Sequence, residues 1–184
     1  MSNEPAEIAQ TAVPTRSGAR RFLTWMAVAA VVLIADQVTK WLILQNIPLY
    51  SKIEVMSFVN ITHQQNPGAA FSFLADAGGW QRWFFTGLAT LVSFFIAGWL
   101  WQLRNQRQAV LGGGLALVLG GALGNLVDRL QFGYVIDFIQ VLIAGWPFPS
   151  FNVADAAISV GAGLLIIDAL FLSGRNEAEK ATDQ

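Results

Sequence analysis

The chain contains no cysteine, and this absence excludes several kinds of functional site at once. Without cysteine there are no disulfides, no thiolate metal ligands and no cysteine nucleophile. The single histidine, His63, is too few for a zinc site built on histidines. We therefore expect no metal and no cofactor, and we look for chemistry among the carboxylates.

Charge is scarce as well. Charged residues make up 12% of the 184 residues, whereas soluble domains carry about 25%. Hydrophobic residues reach 54%, and the mean hydropathy is +0.50. The formal net charge of −1 argues against the clustered basic face that binds nucleic acid, so no nucleic-acid partner is expected. This composition indicates a membrane protein.

Four apolar segments are long enough to cross a bilayer, which requires roughly 17–25 residues. They cover residues 22–44, 83–103, 110–127 and 153–172. No small-x-small cleavage pattern follows the first segment, so we interpret it as a retained anchor and not as a signal peptide. The predicted fold class is an all-α integral membrane protein with four transmembrane helices, formed by residues 16–173.

The distribution of lysine and arginine predicts the orientation of the spans. With both termini in the cytoplasm, seven of these residues lie inside and four lie outside. Residues 45–82 and 128–152 are then outer segments, and residues 105–109 form a short inner turn. The polar tails, residues 1–15 and 174–184, are expected to be disordered in the cytoplasm.

The two outer segments are predicted to contain more than simple loops. Residues 52–74 begin with alternating apolar side chains, which indicate short strands. The polar stretch H-Q-Q-N-P-G at residues 63–68 is predicted to end those strands. Residues 134–142 favour either another strand or a short half-buried helix.

Ionisable residues beside a bilayer are costly unless they are paired or solvated, so each one is a candidate functional residue. Asp36 and Lys40 lie four residues apart on one helical face and are predicted to form a stabilising ion pair. Asp168 follows Asp155 by thirteen residues, which places it about 20 Å deeper and on nearly the opposite helical face. We therefore expect Asp168 to lie near the inner surface, outside any site that contains Asp155.

Three acids remain for a shared site at the outer end: Asp128, Asp137 and Asp155. Asp128 ends the third span beside Arg129 and is expected to bond locally, whereas Asp137 has apolar neighbours and Asp155 begins the fourth helix. Desolvation and a neighbouring carboxylate both disfavour ionisation, so two such acids share one proton and supply one acid and one base. Asp137 with Asp155 is one candidate pair. The residues alone leave open that each acid only caps a helix or pairs with Arg129.

Other functions fit some of these features. Intramembrane acids and glycine-rich helices suit a small proton- or cation-coupled transporter, but the acids cluster at one end and no internal repeat is visible. A non-catalytic membrane assembly factor accounts for the packing glycines of the third span. A rhomboid-type serine protease needs a histidine on a helix that faces a serine, and His63 falls in a predicted outer loop.

Five short motifs occur in a defined order within residues 22–172. They are D-Q-V-T-K (36–40), N-P-G-A-A-F (66–71), G-G-A-L-G-N-L-V-D-R (120–129), V-I-D-F (135–138) and F-N-V-A-D (151–155). In this order and at this spacing they resemble the lipoprotein signal peptidases, also called signal peptidase II. The resemblance implies a four-helix aspartyl protease of the bacterial inner membrane, which cleaves the signal peptide from prolipoproteins just before a diacylglyceryl-modified cysteine.

The same resemblance implies roles for individual residues. The catalytic pair is Asp137 and Asp155. The implied polar lining, which holds the substrate or its lipid-bearing segment, is Asn66, Asn125, Arg129 and Asn152, and the implied structural supports are Asp36, Lys40 and Asp128.

The resemblance also bears on partners and on the outer segment. The implied partners are a diacylglyceryl-modified prolipoprotein and membrane lipid, and nothing requires more than a monomer. The outer strands are expected to form a small extracytoplasmic β cradle beside the bilayer. Pro67 departs from the family pattern, which often has threonine or another small polar residue there. Because proline constrains its own φ, we expect a stiffer loop and no effect on the chemistry.

Overall fold

A computed structural model describes residues 16–68 and 78–172. Over these ranges the chain forms four helices long and apolar enough to span a membrane and one four-stranded antiparallel sheet, which confirms the predicted fold class. The predicted tails and residues 69–77 of the outer β segment lie outside the described residues. In chain order the elements are α1 (Arg16–Asn46), β1 (Lys52–Met56), β2 (Val59–Asn66), α2 (Trp80–Leu103), α3 (Ala109–Gln131), β3 (Val135–Ile143), β4 (Trp146–Pro147) and α4 (Val153–Ile167), which continues as a π-helical turn (Asp168–Leu172).

Helix α3 is the centre of the bundle, because it packs against each of the other three helices. Glycines make this close packing possible. A Cβ atom on Gly120 would lie 2.6 Å from the carbonyl oxygen of Ala29 in α1, and one on Gly121 would meet the carbonyl oxygen of Ala154 in α4. Small residues at such contacts are typical of helix pairs in membranes, so Gly120 and Gly121 of the third span serve packing.

The outward faces of the other helices are apolar. Large hydrophobic side chains on α1, α2 and α4 are exposed, which suits contact with lipid tails. Examples are Val31, Ile34, Leu91, Phe94, Val160 and Ile166.

The sheet has the order β1-β2-β3-β4. Strand β2 continues through His63 as far as Asn66, so the prediction that residues 63–68 end the strand is wrong for most of that stretch. The reason is long-range pairing. A register shift between Ile61 and Gln64 lets this polar stretch stay hydrogen-bonded to β3, and such a bulge inserts extra residues without ending a strand.

Two further expectations for the outer segments are decided by the sheet. All of residues 134–142 except the first lie in a strand, β3 (Val135–Ile143), and not in the alternative short helix. His63 is buried in β2, with its Nδ1 atom 2.8 Å from the carbonyl oxygen of Ile47, so its predicted position in a loop is wrong. The sheet pairs the polar stretch with β3, which a local pattern does not reveal.

An apolar core joins the sheet to the end of α1. Ile43 and Ile47 of α1 pack against Ile136 and Phe138 of β3. Phe151, just before α4, forms an isolated bridge with Ile139. The end of α1, the end of α3, the start of α4 and the middle of β3 therefore meet at one end of the bundle.

Candidate active site

Asp155 is held at the start of α4 by a capping box. The side-chain oxygen of Asn152 accepts a hydrogen bond of 2.9 Å from the Asp155 amide, and Asp155 Oδ2 accepts one of 3.3 Å from the Asn152 amide. The first amides of a helix have no partner within the helix, so a residue pair of this kind satisfies them. The local sequence therefore positions Asp155, and its side chain is half-buried.

Asp137 lies on β3 and is only 3% exposed. One carboxyl oxygen accepts a hydrogen bond of 2.8 Å from Asn152 Nδ2, and the other accepts one of 3.0 Å from Asn66 Nδ2. Asn66 is itself oriented, because its Oδ1 atom accepts a hydrogen bond from the Gly68 amide. The two asparagines thus hold Asp137 from β2 on one side and from the start of α4 on the other.

The environment of Asp137 favours its protonated form. Burial is the largest cause and the charge of Asp155 adds to it, while the hydrogen bonds from Asn66 and Asn152 act in the opposite direction. Together they raise the pKa of Asp137 from 3.8 to about 7. A carboxyl with such a pKa can hold a proton near neutral pH and release it.

Two asparagine amides connect the two acids. Asn152 Nδ2 donates to Asp137 Oδ1, and it also lies 3.2 Å from Asn125 Oδ1. Asn125 Nδ2 in turn donates a hydrogen bond of 2.8 Å to Asp155 Oδ1. Asp137 and Asp155 therefore come together from β3 and α4, eighteen residues apart in the chain.

A buried ionic cluster lies directly behind this pair. Lys40 Nζ is 2.8 Å from Asp36 Oδ2 and 2.8 Å from Asp128 Oδ2. The predicted Asp36–Lys40 ion pair is thus present, but the expectation that Asp128 bonds locally is wrong. Asp128 accepts hydrogen bonds from Gln37 on α1 and from the amide of Ile136 on β3. A fully buried carboxylate needs such partners, and helix packing supplies them from other elements.

Arg129 reaches the same end of the bundle. Its Nη1 and Nη2 atoms donate to the carbonyl oxygens of Asn125, at 3.2 Å, and Gly68, at 3.1 Å. The guanidinium carbon lies 5.3 Å from the centre of the Phe85 ring. Where the structure describes the chain, Arg129 forms no ion pair with Asp137 or Asp155. The alternative in which Asp137 or Asp155 simply forms an ion pair with Arg129 is therefore not observed in the described residues.

Two supporting residues were missed from the sequence. Gln37 Nε2 lies 3.2 Å from Asp36 Oδ2 and 2.9 Å from Asp128 Oδ1, and its polar side chain within an apolar helix was the available signal. Arg82 donates to the carbonyl oxygens of Arg129 and Leu130 at the end of α3, and no local signal indicated that contact. Both residues stabilise the helix ends that form the site.

Asp168 is separate from this site. It lies at the other end of α4, where the π-helical turn begins, and it is buried. Across residues 16–68 and 78–172, no three His, Cys, Asp or Glu side chains are grouped so that they could hold a metal ion. The chemistry available in the described site is that of two carboxyl groups and their amide partners.

The sequence matches known proteins over most of its length. The family model described as signal peptidase (SPase) II matches residues 28–171. The chain belongs to the signal peptidase II family. Membership of a peptidase family does not favour the two alternative functions, a small proton- or cation-coupled transporter and a non-catalytic membrane assembly factor. With its four candidate spans, this member of the family is a multi-pass membrane protein.

Curated relatives carry the name lipoprotein signal peptidase. One from Pseudoalteromonas atlantica is 52% identical over 153 residues, which is 83% of this chain and 91% of the relative. One from Shewanella baltica is 50% identical and covers 86% of this chain and 92% of the relative. One from Acinetobacter baumannii is 48% identical, with 82% and 85% covered.

Solved structures of bacterial membrane enzymes share this fold. A bacterial membrane enzyme solved by the in meso method at 2.3 Å resolution has a TM-score of 0.70 and 34% identity, covering 80% of this chain and 87% of that chain. A second bacterial membrane enzyme, solved at 1.9 Å resolution, has a TM-score of 0.68 and 32% identity, covering 82% and 94%.

Proposed function

We propose that this member of the signal peptidase II family is an aspartyl endopeptidase that removes the signal peptide from diacylglyceryl-modified prolipoproteins, with Asp137 and Asp155 as its catalytic pair. The relatives from three bacterial species named above are called lipoprotein signal peptidases, which supports the substrate class. The observation that carries the catalytic assignment is the joint contact of Asn152 with both acids, together with the raised pKa of Asp137.

The two acids take different parts in the reaction. Asp137, with its pKa near 7, holds the shared proton and donates it to the oxygen of the scissile carbonyl. Asp155 acts as the base and removes a proton from a water molecule as the water oxygen attacks the carbonyl carbon. The product of this attack is a gem-diol. The proton on Asp155 then passes to the leaving nitrogen as the C–N bond breaks, while one hydroxyl of the diol gives its proton to Asp137 and becomes the carbonyl of the new carboxylic acid. The pair is then ready for another turnover, with the proton again on Asp137.

The amides of the site support this division of work. Asn66 and Asn152 donate to Asp137, and Asn125 donates to Asp155, so neither carboxyl group is free to turn away from the substrate. Arg129 holds the carbonyl oxygen of Gly68 and so keeps the end of β2 close to the acids. These residues act by positioning, which contributes to rate because misplaced groups react far more slowly.

We further infer the setting of the enzyme. With cytoplasmic termini, seven of the eleven Lys and Arg residues in the sequence are assigned to the inner side, and this bias supports that orientation in the bacterial inner membrane, with the site at the outer face. A substrate held in the bilayer by an apolar signal helix and two acyl chains is confined to the plane of that site, and water reaches the bond at the interface. The proposed mechanism uses residues of one chain, so it requires no more than a monomer.

The test is turnover by purified variants in lipid, with a lipid-modified peptide and an unmodified peptide as substrates. Asp137→Asn and Asp155→Asn are each expected to abolish cleavage while the protein still inserts and folds. Glu54→Gln is the matched control, because the Glu54 side chain is 76% exposed on β1. Full turnover by either aspartate variant would refute the catalytic pair, and equal cleavage of both peptides would refute the substrate class.

A further inference from the structure

We propose that Lys40 is a positioning residue for catalysis, because it determines the orientation of the Asn125 amide that holds Asp155. The inference rests on the proposed role of Asp155. The family resemblance implies only a structural role for Lys40. The contacts of its ammonium group indicate a positioning role in addition.

All three donors of Lys40 are accounted for. Its Nζ atom lies 2.8 Å from Asp36 Oδ2, 2.8 Å from Asp128 Oδ2 and 2.9 Å from Asn125 Oδ1, and the side chain is 2% exposed. An ammonium group has three N–H donors and no acceptor. The group that faces its third donor must therefore be an oxygen, and the Asn125 amide is held with its oxygen toward Lys40.

The orientation of the Asn125 amide determines which of its groups, oxygen or NH₂, faces the Asp155 carboxylate. With the oxygen of Asn125 directed at Lys40, the NH₂ group points the other way and donates to Asp155 Oδ1 at 2.8 Å. If the amide turned over, its NH₂ group would face the ammonium donors and its oxygen would face the Asp155 carboxylate. Both contacts would then be repulsive. The contact of Asn152 Nδ2 with Asn125 Oδ1 fits the observed orientation as well.

The carboxylates bound to Lys40 also hold the backbone beside each catalytic acid. Asp36 Oδ1 accepts a hydrogen bond of 2.9 Å from the amide of Ala154, which directly precedes Asp155. Asp128 Oδ2 accepts one of 3.1 Å from the amide of Ile136, which directly precedes Asp137. The positive charge of Lys40 keeps these two carboxylates together, since without it two buried like charges would repel each other.

A purely structural role and a positioning role make different predictions. A structural residue changes how much enzyme folds and how stable it is, but not the turnover of each folded molecule. A positioning residue changes kcat for folded enzyme, and its effect depends on the group through which it acts. Because Lys40 acts through Asn125, the two residues should be strongly non-additive.

The experiment is a double-mutant cycle with Lys40→Met, Asn125→Ala and the double variant, purified in lipid. kcat and KM are measured with the lipid-modified peptide and expressed per folded enzyme, from size-exclusion profiles and tryptophan fluorescence. Residues that orient metal ligands typically contribute 10- to 100-fold, so we expect Lys40→Met to lower kcat by about 10- to 100-fold and to change KM by less than about 3-fold. The double variant should be within about 3-fold of the slower single variant.

Two further variants keep the result interpretable. Lys52→Met makes the same substitution at an exposed lysine of β1 and should leave kcat unchanged. If Lys40→Met does not fold, Asp36→Asn combined with Lys40→Met is used instead. It leaves one carboxylate in the cluster, so the formal charge of −1 is the same as in the native protein.

The outcomes separate this inference from the proposed function. An unchanged kcat per folded enzyme in the Lys40 variants overturns the positioning role, and so does a double variant that is slower by the full product of the two single effects. Turnover by Asp137→Asn or Asp155→Asn overturns the proposed catalytic pair, whatever the Lys40 variants do.

Discussion

Replacing Asp137 with asparagine is expected to abolish turnover and yet to make the protein more stable at alkaline pH. Asp137 is 3% exposed, and its pKa is raised from 3.8 to about 7, mainly by burial and further by the charge of Asp155. A carboxyl whose pKa is raised in the folded state contributes fully below pH 3.8, and its contribution is lost as the pH rises through about 7. An asparagine stays neutral at every pH and avoids this loss.

The magnitude follows from the two pKa values. The difference between 3.8 and about 7, at about 1.4 kcal/mol for each pH unit, makes the ionised Asp137 cost about 4 kcal/mol at about pH 8.5. At about pH 4.5 the cost is only about 1 kcal/mol. Asp137 accepts one hydrogen bond from Asn66 and one from Asn152, but an asparagine at this position has only one oxygen. One of the two donors therefore loses its partner, which costs about 1–3 kcal/mol of folding free energy.

The net change in stability is the ionisation cost that asparagine avoids minus the cost of the lost hydrogen bond, and it changes with pH. The variant should be about 1–3 kcal/mol more stable than the native protein at about pH 8.5 and equal to it or less stable at about pH 4.5. The assay is the thermal melting midpoint in one detergent or lipid, at a fixed heating rate, followed by tryptophan fluorescence. Glu54→Gln is the control and should show no such pH dependence. If Asp137→Asn shifted the midpoint by the same amount at both pH values, the burial argument would be wrong.

Three other predictions follow from the packing and from the site. Gly121→Ala should lower the free energy of unfolding by about 1–3 kcal/mol, because its Cβ would meet the carbonyl oxygen of Ala154, whereas Gly113→Ala should be nearly neutral because nothing lies within 4 Å. Chelators should leave turnover unchanged, and a loss of activity that zinc restores would contradict the expectation that no metal takes part in catalysis. Asp168→Asn should reduce turnover much less than either catalytic substitution, and a comparable loss in well-folded protein would disprove its separation from the site.

Some features could be predicted because their causes are local. The helices contain the four predicted spans, since a run of apolar residues of sufficient length determines a span. The Asp36–Lys40 ion pair follows from a spacing of one helical turn. Asp155 lies in the first turn of α4 because Asn152, three residues earlier, caps that helix.

Other features depend on strand pairing between distant segments. The polar stretch from His63 to Asn66 has a local sequence typical of a turn, but it remains a strand because β3 pairs with it. The same pairing brings Asn66 to Asp137, seventy-one residues further along the chain. Neither residue carries a local signal for the other.

The amino-acid sequence by itself determined the membrane class and the four spans, because these depend on composition and on runs of apolar residues. Its five ordered motifs carry the family resemblance, and that resemblance implies Asp137 and Asp155 as the two acids. The tertiary structure alone decided that Asp128 pairs with Lys40, that Lys40 reaches Asn125, and that Asp137 is buried deeply enough to hold a proton near neutral pH. The physical reason is that desolvation and hydrogen-bond partners are properties of packed neighbours, and those neighbours come from segments far apart in the chain.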